Sequence, residues 1–492
     1  MDGSTAGFCY TVSGMTEMKR INENIIEIPR SGGMRVPGRV FISDKLMAAA
    51  MQDNALLQVV NVAHLPGIID ASMAMPDIHW GYGFPIGGVA AFDAEQGVIS
   101  PGGVGYDINC GVRLATTSLD REDIASKLEK IANSLAAGIP AGVGKSGPIK
   151  LSKAEMKRVL SKGAEAAVEM GAGEESDLDR IESRGSLPDA DPDAVSHQAK
   201  ERGADQLGTL GSGNHFVEVG YVEEIFDSES ADAFGLRKNQ VTLLIHSGSR
   251  GLGYQVCDDH LAILTKYIAG KKIDLPDRQL ACAPFKSPEG AAYFAAMCAA
   301  ANYAFANRQF LLDMARDLLL NALGISPKDF GMRLLYDVAH NIAKLETHLV
   351  EGHQKRMIVH RKGATRSFGP GNPEVPSPYR NVGQPVLIPG DMGRASYVLV
   401  GTSKAMEISF GSTCHGAGRL LSRKSAIKSA KGRSIENELY DNGIIVRAHS
   451  RSSLAEEMPD AYKNVTDVVE VVHRAGLSRK VARLAPLVVI KG

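Results

Sequence analysis

Five histidines and one aspartate–cysteine pair are the residues of this chain best suited to chemistry. His215, His246, His340 and His360 fall where strand-like runs give way to loops, in GNHFVEV, LIHSGSRG, DVAHN and VHRKG. Asp107 and Cys110 share the turn YDINCG, and His415 stands in GSTCHGAGR between two glycine-rich stretches. A lone histidine in a turn is usually structural. These stand near glycine, asparagine or serine at element ends, where functional groups gather. Thiolate, imidazole and carboxylate together suit a borderline divalent metal such as Zn²⁺, Mn²⁺, Co²⁺ or Fe²⁺. Cys110 as thiolate could bridge two ions, and two ions about 4 Å apart would clamp the attacking and leaving oxygens of a phosphoryl transfer. The spacings are too long for a zinc finger.

His415 suits a second chemistry. A histidine nitrogen can attack the α-phosphorus of a nucleotide and hold the nucleotidyl group as a phosphoramidate. Gly416 and Gly418 would let the backbone approach phosphates, and Arg419 supplies a cation. The competing reading is a glycine-rich turn around a buried histidine. Other motifs fail on inspection. GVGKSG at 142–147 puts Ile139 where a P-loop needs glycine, and it follows a helical stretch. KDFG at 328–331 has no HRD loop to accompany it. Neither HExxH nor the lysine motif KxDG of ordinary nucleic-acid ligases occurs.

The elements that position these groups read as an α+β mixture. HFVEVGYV, VTLLIHSG, MRLLYDVAHN, QPVLIPG and ASYVLVGTS are short β-branched runs bounded by glycine, proline or small polar residues. Helical spacing covers 121–170, 255–270 and 290–323. Strands do not alternate regularly with helices, which disfavours a doubly wound parallel sheet. One large catalytic domain over residues 1–492 is expected, with antiparallel or mixed sheet and surrounding helices. The acidic stretch at about 171–203, with SLPDADPD at its centre, reads as an exposed insertion or linker.

The 492 residues, 44% hydrophobic and 23% charged, make an ordinary globular composition. With a net charge of −1, an RNA partner would have to be gripped by a local basic patch. Arg419–Arg433, rich in basic residues and free of acidic ones, is either a solvated helix face or a phosphate-backbone track. Cysteines at 9, 110, 257, 282, 298 and 414 form no CxxC pair, which favours a reducing compartment. The N-terminal residues lack the pattern of a signal peptide, and Ala291–Ala301 is too short to span a bilayer. A cytoplasmic protein is expected.

MPDIHWGYGFPIGG, GVGYDINCGVR, LGTLGSGNHFVEV, HSGSRGLG, DVAHN, HRKGATR, TCHGAGR, AYKNV and the terminal IKG, in this order, resemble the RtcB-type RNA ligases from about residue 35 to residue 492. The resemblance implies a GTP-dependent ligase with two Mn²⁺ ions. It would join an RNA 2′,3′-cyclic phosphate or 3′-phosphate end to a 5′-hydroxyl end, in tRNA splicing or RNA repair. It implies metal ligands at Asp107, Cys110, His215, His246 and His340, and a guanylylated histidine at His415. Asp77, Arg250 and Lys362 join the catalytic group. Nucleotide contacts are implied for Asn214, Phe216, Glu218, Asn341, Pro389, Ser396, Ala417, Gly418, Arg419, Tyr462 and Lys491. The turn PGDMG departs from the family, which often has serine or threonine where this chain has Asp391. A ribose contact is the role favoured for it here. An activating partner, archease, serves some members of the family; the residues leave its need here open. A metal-dependent RNA phosphoesterase with no covalent nucleotide, and a non-catalytic RNA-binding protein, are the rival readings. No RRM or KH signature is present.

Overall fold

The computed structural model describes residues 18–492; the N-terminal segment on which the signal-peptide expectation rests, and Cys9 of the cysteine reading, lie outside the described residues. Two large sheets and one long helix carry the fold. One sheet has seven strands, in the order Lys19–Asn22, Ile25–Ile28, Gly38–Phe41, Ile68–His79, Ile86–Asp93, His353–Lys362, Asn341–Val350. The other runs Arg333–Ala339, Gly111–Asp120, Gln240–Ser247, Phe216–Ile225, Ser478–Lys491, Ser396–Gly401, Pro385–Ile388, with Ile445–Ala448 also on Ser478–Lys491. Pairing is antiparallel except for Gly38–Phe41 with Ile68–His79 and Ile445–Ala448 with Ser478–Lys491. The α+β reading with mixed sheet holds.

Between strands Arg333–Ala339 and Asn341–Val350 the chain passes from one sheet to the other across a single residue, His340. That junction is tied across by the Asn109 amide, which donates to the Asn341 carbonyl at 2.7 Å. Chemistry-bearing residues gather there because strand ends from both sheets meet there.

Helix Pro288–Leu323 is buried around most of its circumference from Gly290 to Leu312, as expected of a core helix. Ser287 caps it by accepting from the Gly290 amide, Pro288 occupies the first turn, and Gly324 ends it with φ +67°. Its middle carries polar residues into the core. The Arg308 guanidinium faces the Asp337 carboxylate with Nε–Oδ2 at 2.9 Å and Nη2–Oδ1 at 2.8 Å, and Arg113 Nε reaches Asp337 Oδ2 at 2.6 Å. All three side chains are fully buried. Arg308 Nη1 also donates to the carbonyls of Asn109 and Ser247.

The acidic stretch 171–203 is not an exposed linker. It forms short helical segments, among them Glu175–Leu178 and His197–Gly203. Leu178 and Ile181 pack in one core cluster with Phe305 and Leu312 of the long helix, and Leu187, Val195 and Ala199 pack in another with Met297 and Ala300. Its mean polarity hid these sparse apolar residues, and Glu182, taken as solvated, is a buried partner of Lys344 at 2.6 Å.

Asp337→Ala leaves two buried guanidiniums without their carboxylate, so a loss of roughly 3–5 kcal/mol of stability is expected. A urea melt checks it, by a lower midpoint than the parent chain; an unchanged midpoint contradicts it.

Candidate metal and nucleotide site

Five side chains expected to bind metal come together where the two sheets meet. Asp107 and Cys110 precede strand Gly111–Asp120, His215 precedes Phe216–Ile225, and His246 lies near the end of Gln240–Ser247. His246 is in register with both Val112 and Phe216, which brings three loops onto one point. Cys110 Sγ lies 3.3 Å from His215 Nε2 and 3.3 Å from His246 Nε2. Asp107 Oδ2 lies 2.8 Å from His215 Nε2, and His246 Nε2 faces His340 Nε2 at 3.2 Å. His215 Nδ1 lies 3.0 Å from the Leu210 carbonyl, which accepts its proton and frees Nε2 for a ligand. Gly248 is needed beside this cluster, because a Cβ there would lie 2.3 Å from the Asp107 carboxylate.

This donor set fits a divalent cation. Donor atoms of Cys110, His215 and His246 all lie within 4.8 Å of one another, and all three residues are buried. Burial keeps the His246 and His340 imidazoles well below their usual pKa, hence neutral, the form that ligates. Burial and the adjacent Asp107 charge push the Cys110 thiol well up. Its thiolate therefore calls for a cation beside it.

A cavity of about 320 Å³ opens over this cluster. His415 lines it, its ring 5.0 Å from that of His340. His415 Nδ1 lies 2.5 Å from Asp77 Oδ2, and the same oxygen accepts from the backbone amides of His415 and Gly416. For Asp77, burial favours the neutral form, but the His415 interactions and the Lys463 charge win and hold its pKa down. Its carboxylate accepts a hydrogen bond from Nδ1–H, so Nε2 is the nitrogen with the free lone pair. Gly418, at φ +73°, admits no side chain, since a Cβ would lie 2.2 Å from the Asp77 carbonyl.

The profile of the family described as "RtcB: tRNA-splicing ligase RtcB" matches residues 58–492. The chain is 54% identical over 477 residues to the tRNA-splicing ligase RtcB of Archaeoglobus fulgidus, spanning 96% of this chain and 99% of that protein. It is 52% identical over 479 residues to the tRNA-splicing ligase RtcB of Thermococcus kodakarensis, spanning 97% and 99%. Against the RNA-splicing ligase RtcB of Mycobacterium tuberculosis the identity is 52% over 439 residues, spanning 89% of this chain and all of the relative. This chain belongs to the RtcB family.

Most residues that the RtcB resemblance pointed to line the cavity: Asn214, Phe216, Glu218, Asn341, Lys362, Pro389, Asp391, Ala417, Gly418, Arg419, Tyr462 and Lys491. Four expected residues do not line it: His215, placed above in the donor cluster, and Asp77, Ser396 and Arg250. Asp77 stands behind His415. Ser396 accepts from the Gly390 amide at 3.2 Å and braces the PGDMG turn. Arg250 sits behind His215, its Nη1 3.4 Å from Nδ1 and its Nε donating to Thr209 Oγ1. His360, one of the histidines singled out by position, is a core residue: it accepts from the Ser100 amide and stacks on Phe84.

Some expected contacts are already occupied. Lys362 Nζ donates to the carbonyls of Tyr82 and Phe84, and burial lowers its pKa to about 7. Arg419 donates to Glu457 and Tyr462. Glu457, a cavity residue that reasoning from sequence missed, also accepts from the Tyr462 hydroxyl. No motif marks it; it becomes visible only once Arg419 and Tyr462 are seen side by side.

Cys110→Ser is expected to lower bound metal after Mn²⁺ loading, because a hydroxyl is a poorer anionic ligand at neutral pH. Elemental analysis reads this out directly. Wild-type metal content in the variant would make Cys110 structural.

Proposed function

We propose that this chain is a GTP-dependent RNA ligase, joining RNA 2′,3′-cyclic phosphate or 3′-phosphate ends to 5′-hydroxyl ends through a guanylylated His415. The observation that carries the reading is a histidine oriented by a buried carboxylate, in the same cavity as a cluster of metal-type donors. The relatives' names support tRNA halves as the RNA.

Two cations would be held by groups that share Cys110, namely Asp107 and His215 on one side and His246 and His340 on the other. Mn²⁺ suits this mixture of imidazole, carboxylate and thiolate. When bound, such ions stabilise the charge that develops on phosphoryl oxygens.

A 2′,3′-cyclic phosphate end is first opened by water to a 3′-phosphate. His415 Nε2 attacks the α-phosphorus of GTP. A P–N bond forms, the bond to the β-phosphate oxygen breaks, and pyrophosphate leaves. Asp77 holds the Nδ1 proton and offsets the positive charge of the ring as that bond forms. An oxygen of the RNA 3′-phosphate then attacks the same phosphorus and breaks the P–N bond. The 5′-hydroxyl attacks the activated 3′-phosphate, GMP leaves, and the phosphodiester is complete. A phosphoesterase would use the same donors but has no need of His415 as nucleophile.

His415→Ala is expected to abolish GMP labelling of the protein by α-labelled GTP, and with it sealing of 3′-phosphate ends. The variant should still seal RNA that already carries a 3′-guanylate. Undiminished labelling would remove His415 from the role. Adding archease to the wild-type sealing assay decides whether that partner raises the rate.

Glu218 and Asp391 divide recognition of the nucleoside. Burial, and then the Asp391 charge, push Glu218 up to about 8 against the pull of Lys491. Asp391, itself raised to about 6 by burial, caps its turn by accepting from the Gly393 amide through Oδ1. Its Oδ2 makes no hydrogen bond, though Arg394 stands 3.4 Å away. We assign Glu218 to the N1–H and N2 amino donors of guanine and Asp391 to a ribose hydroxyl. Guanine needs the carboxylate form of Glu218, so GTP binding must expel a proton below about pH 8. GTP affinity should therefore rise with pH and level off above that value. Calorimetric titration should find this slope lost in Glu218→Gln. In Asp391→Ala the slope should remain but level off at a lower pH, because the Asp391 charge no longer raises Glu218, with weaker binding and discrimination against ATP retained. A pH-independent wild type, or loss of guanine preference in Asp391→Ala, would overturn the division.

A further inference from the structure

The tyrosines beside the donor cluster support an inference that deepens the ligase reading and rests on it. Tyr82 and Tyr106 line the cavity and are half-buried. Their rings meet edge to face at 5.8 Å. Tyr106 then stacks on Tyr254, with ring centroids 4.8 Å apart and planes 25° from parallel. Tyr254 is the fifth residue of helix Arg250–Lys271 and is 48% exposed. Three rings in contact thus run from the cavity wall to the surface, and the middle one directly precedes Asp107 in sequence. Basic side chains accompany them. The Arg202 guanidinium lies 5.7 Å from the Tyr254 centroid, and the Lys362 ammonium is bonded to the Tyr82 carbonyl.

Tyr82 and Tyr106 also pack on the apolar core, which accounts for their buried edges. That packing does not explain why a third ring continues the stack into solvent. A broken RNA end that reaches the donor cluster must leave the cavity as a polyanion with bases freed from pairing. Rings in series with a guanidinium beside the outermost make a surface suited to such a strand, because every base has a π-face and every linkage a negative charge. We propose that Tyr82, Tyr106 and Tyr254 form a stacking track for the unpaired bases next to the RNA break.

The test is steady-state sealing by wild type, Tyr254→Leu and Tyr254→Phe. Each is given RNA with normal bases, or with an abasic nucleotide on one or the other side of the break. GMP labelling of the protein serves as a readout that does not involve RNA. Tyr254→Leu keeps apolar bulk but has no ring, so it should label normally while its KM for RNA rises about tenfold. Tyr254→Phe should restore the wild-type KM. An abasic nucleotide on at least one side should raise the wild-type KM and add nothing further in Tyr254→Leu. An unchanged KM in Tyr254→Leu, or an equal abasic penalty in both proteins, overturns the track and leaves the ligase reading intact. A wild type that neither labels nor seals overturns the ligase reading and the track with it.

Discussion

The donor cluster at the candidate site depends on one buried carboxylate shared by two guanidiniums. Asp337 accepts from both Arg308 and Arg113, with no solvent at any of the three side chains. Three buried charges so placed are costly unless their remaining donors and acceptors are filled. Arg308 meets that condition by donating to the carbonyls of Asn109 and Ser247, the neighbours of Cys110 and His246. The charge network and the donor cluster are therefore one arrangement. The long helix brings Arg308 to the two loops, and Arg308 fixes where the thiol and the imidazole stand. Asn307 does similar work beside it, bonding Thr209, Ser247 and Gly248. The positive charge of Arg308 also opposes the effect of burial on Cys110, and so favours the thiolate that a cation needs.

The second constraint is on His415. Its turn follows the short strand Ser412–Cys414, whereas Asp77 lies on strand Ile68–His79 of the seven-stranded sheet. One carboxylate oxygen receives the imidazole and two backbone amides, so it sets both the tautomer and the position of the turn. Lys463, buried and bonded to the carbonyls of Pro76 and Ile78, holds the strand around Asp77. The metal-type cluster thus leans on the long helix, and the nucleophile candidate on the seven-stranded sheet. They meet at His340, the single residue that joins strand Arg333–Ala339 of one sheet to Asn341–Val350 of the other.

Much of this was legible in the sequence. Strand-end histidines, YDINCG and GSTCHGAGR are dense, local signals, and the structure gathers all of them except His360 at one site. The β-branched runs became strands of the eight-stranded sheet for the same local reasons. What could not be read was long-range. Arg308 lies inside an alanine-rich helix and looks like an ordinary helical arginine, because its partner Asp337 is on a strand. Glu182 looked like part of a solvated acidic tract, because the lysine it pairs with is 162 residues away. Arg419 was read as a free cation for phosphate, because Glu457 carries no motif. His360 had the same surroundings in sequence as the site histidines, and only its contacts with Ser100 and Phe84 separate it from them.

The central claim is that Cys110 and the strand-end histidines form one metal centre on this scaffold. X-ray absorption at the manganese edge of the Mn²⁺-loaded protein tests it most directly. The account predicts a sulfur scatterer together with imidazole nitrogens in the coordination shell. A shell of oxygen and nitrogen alone would contradict it.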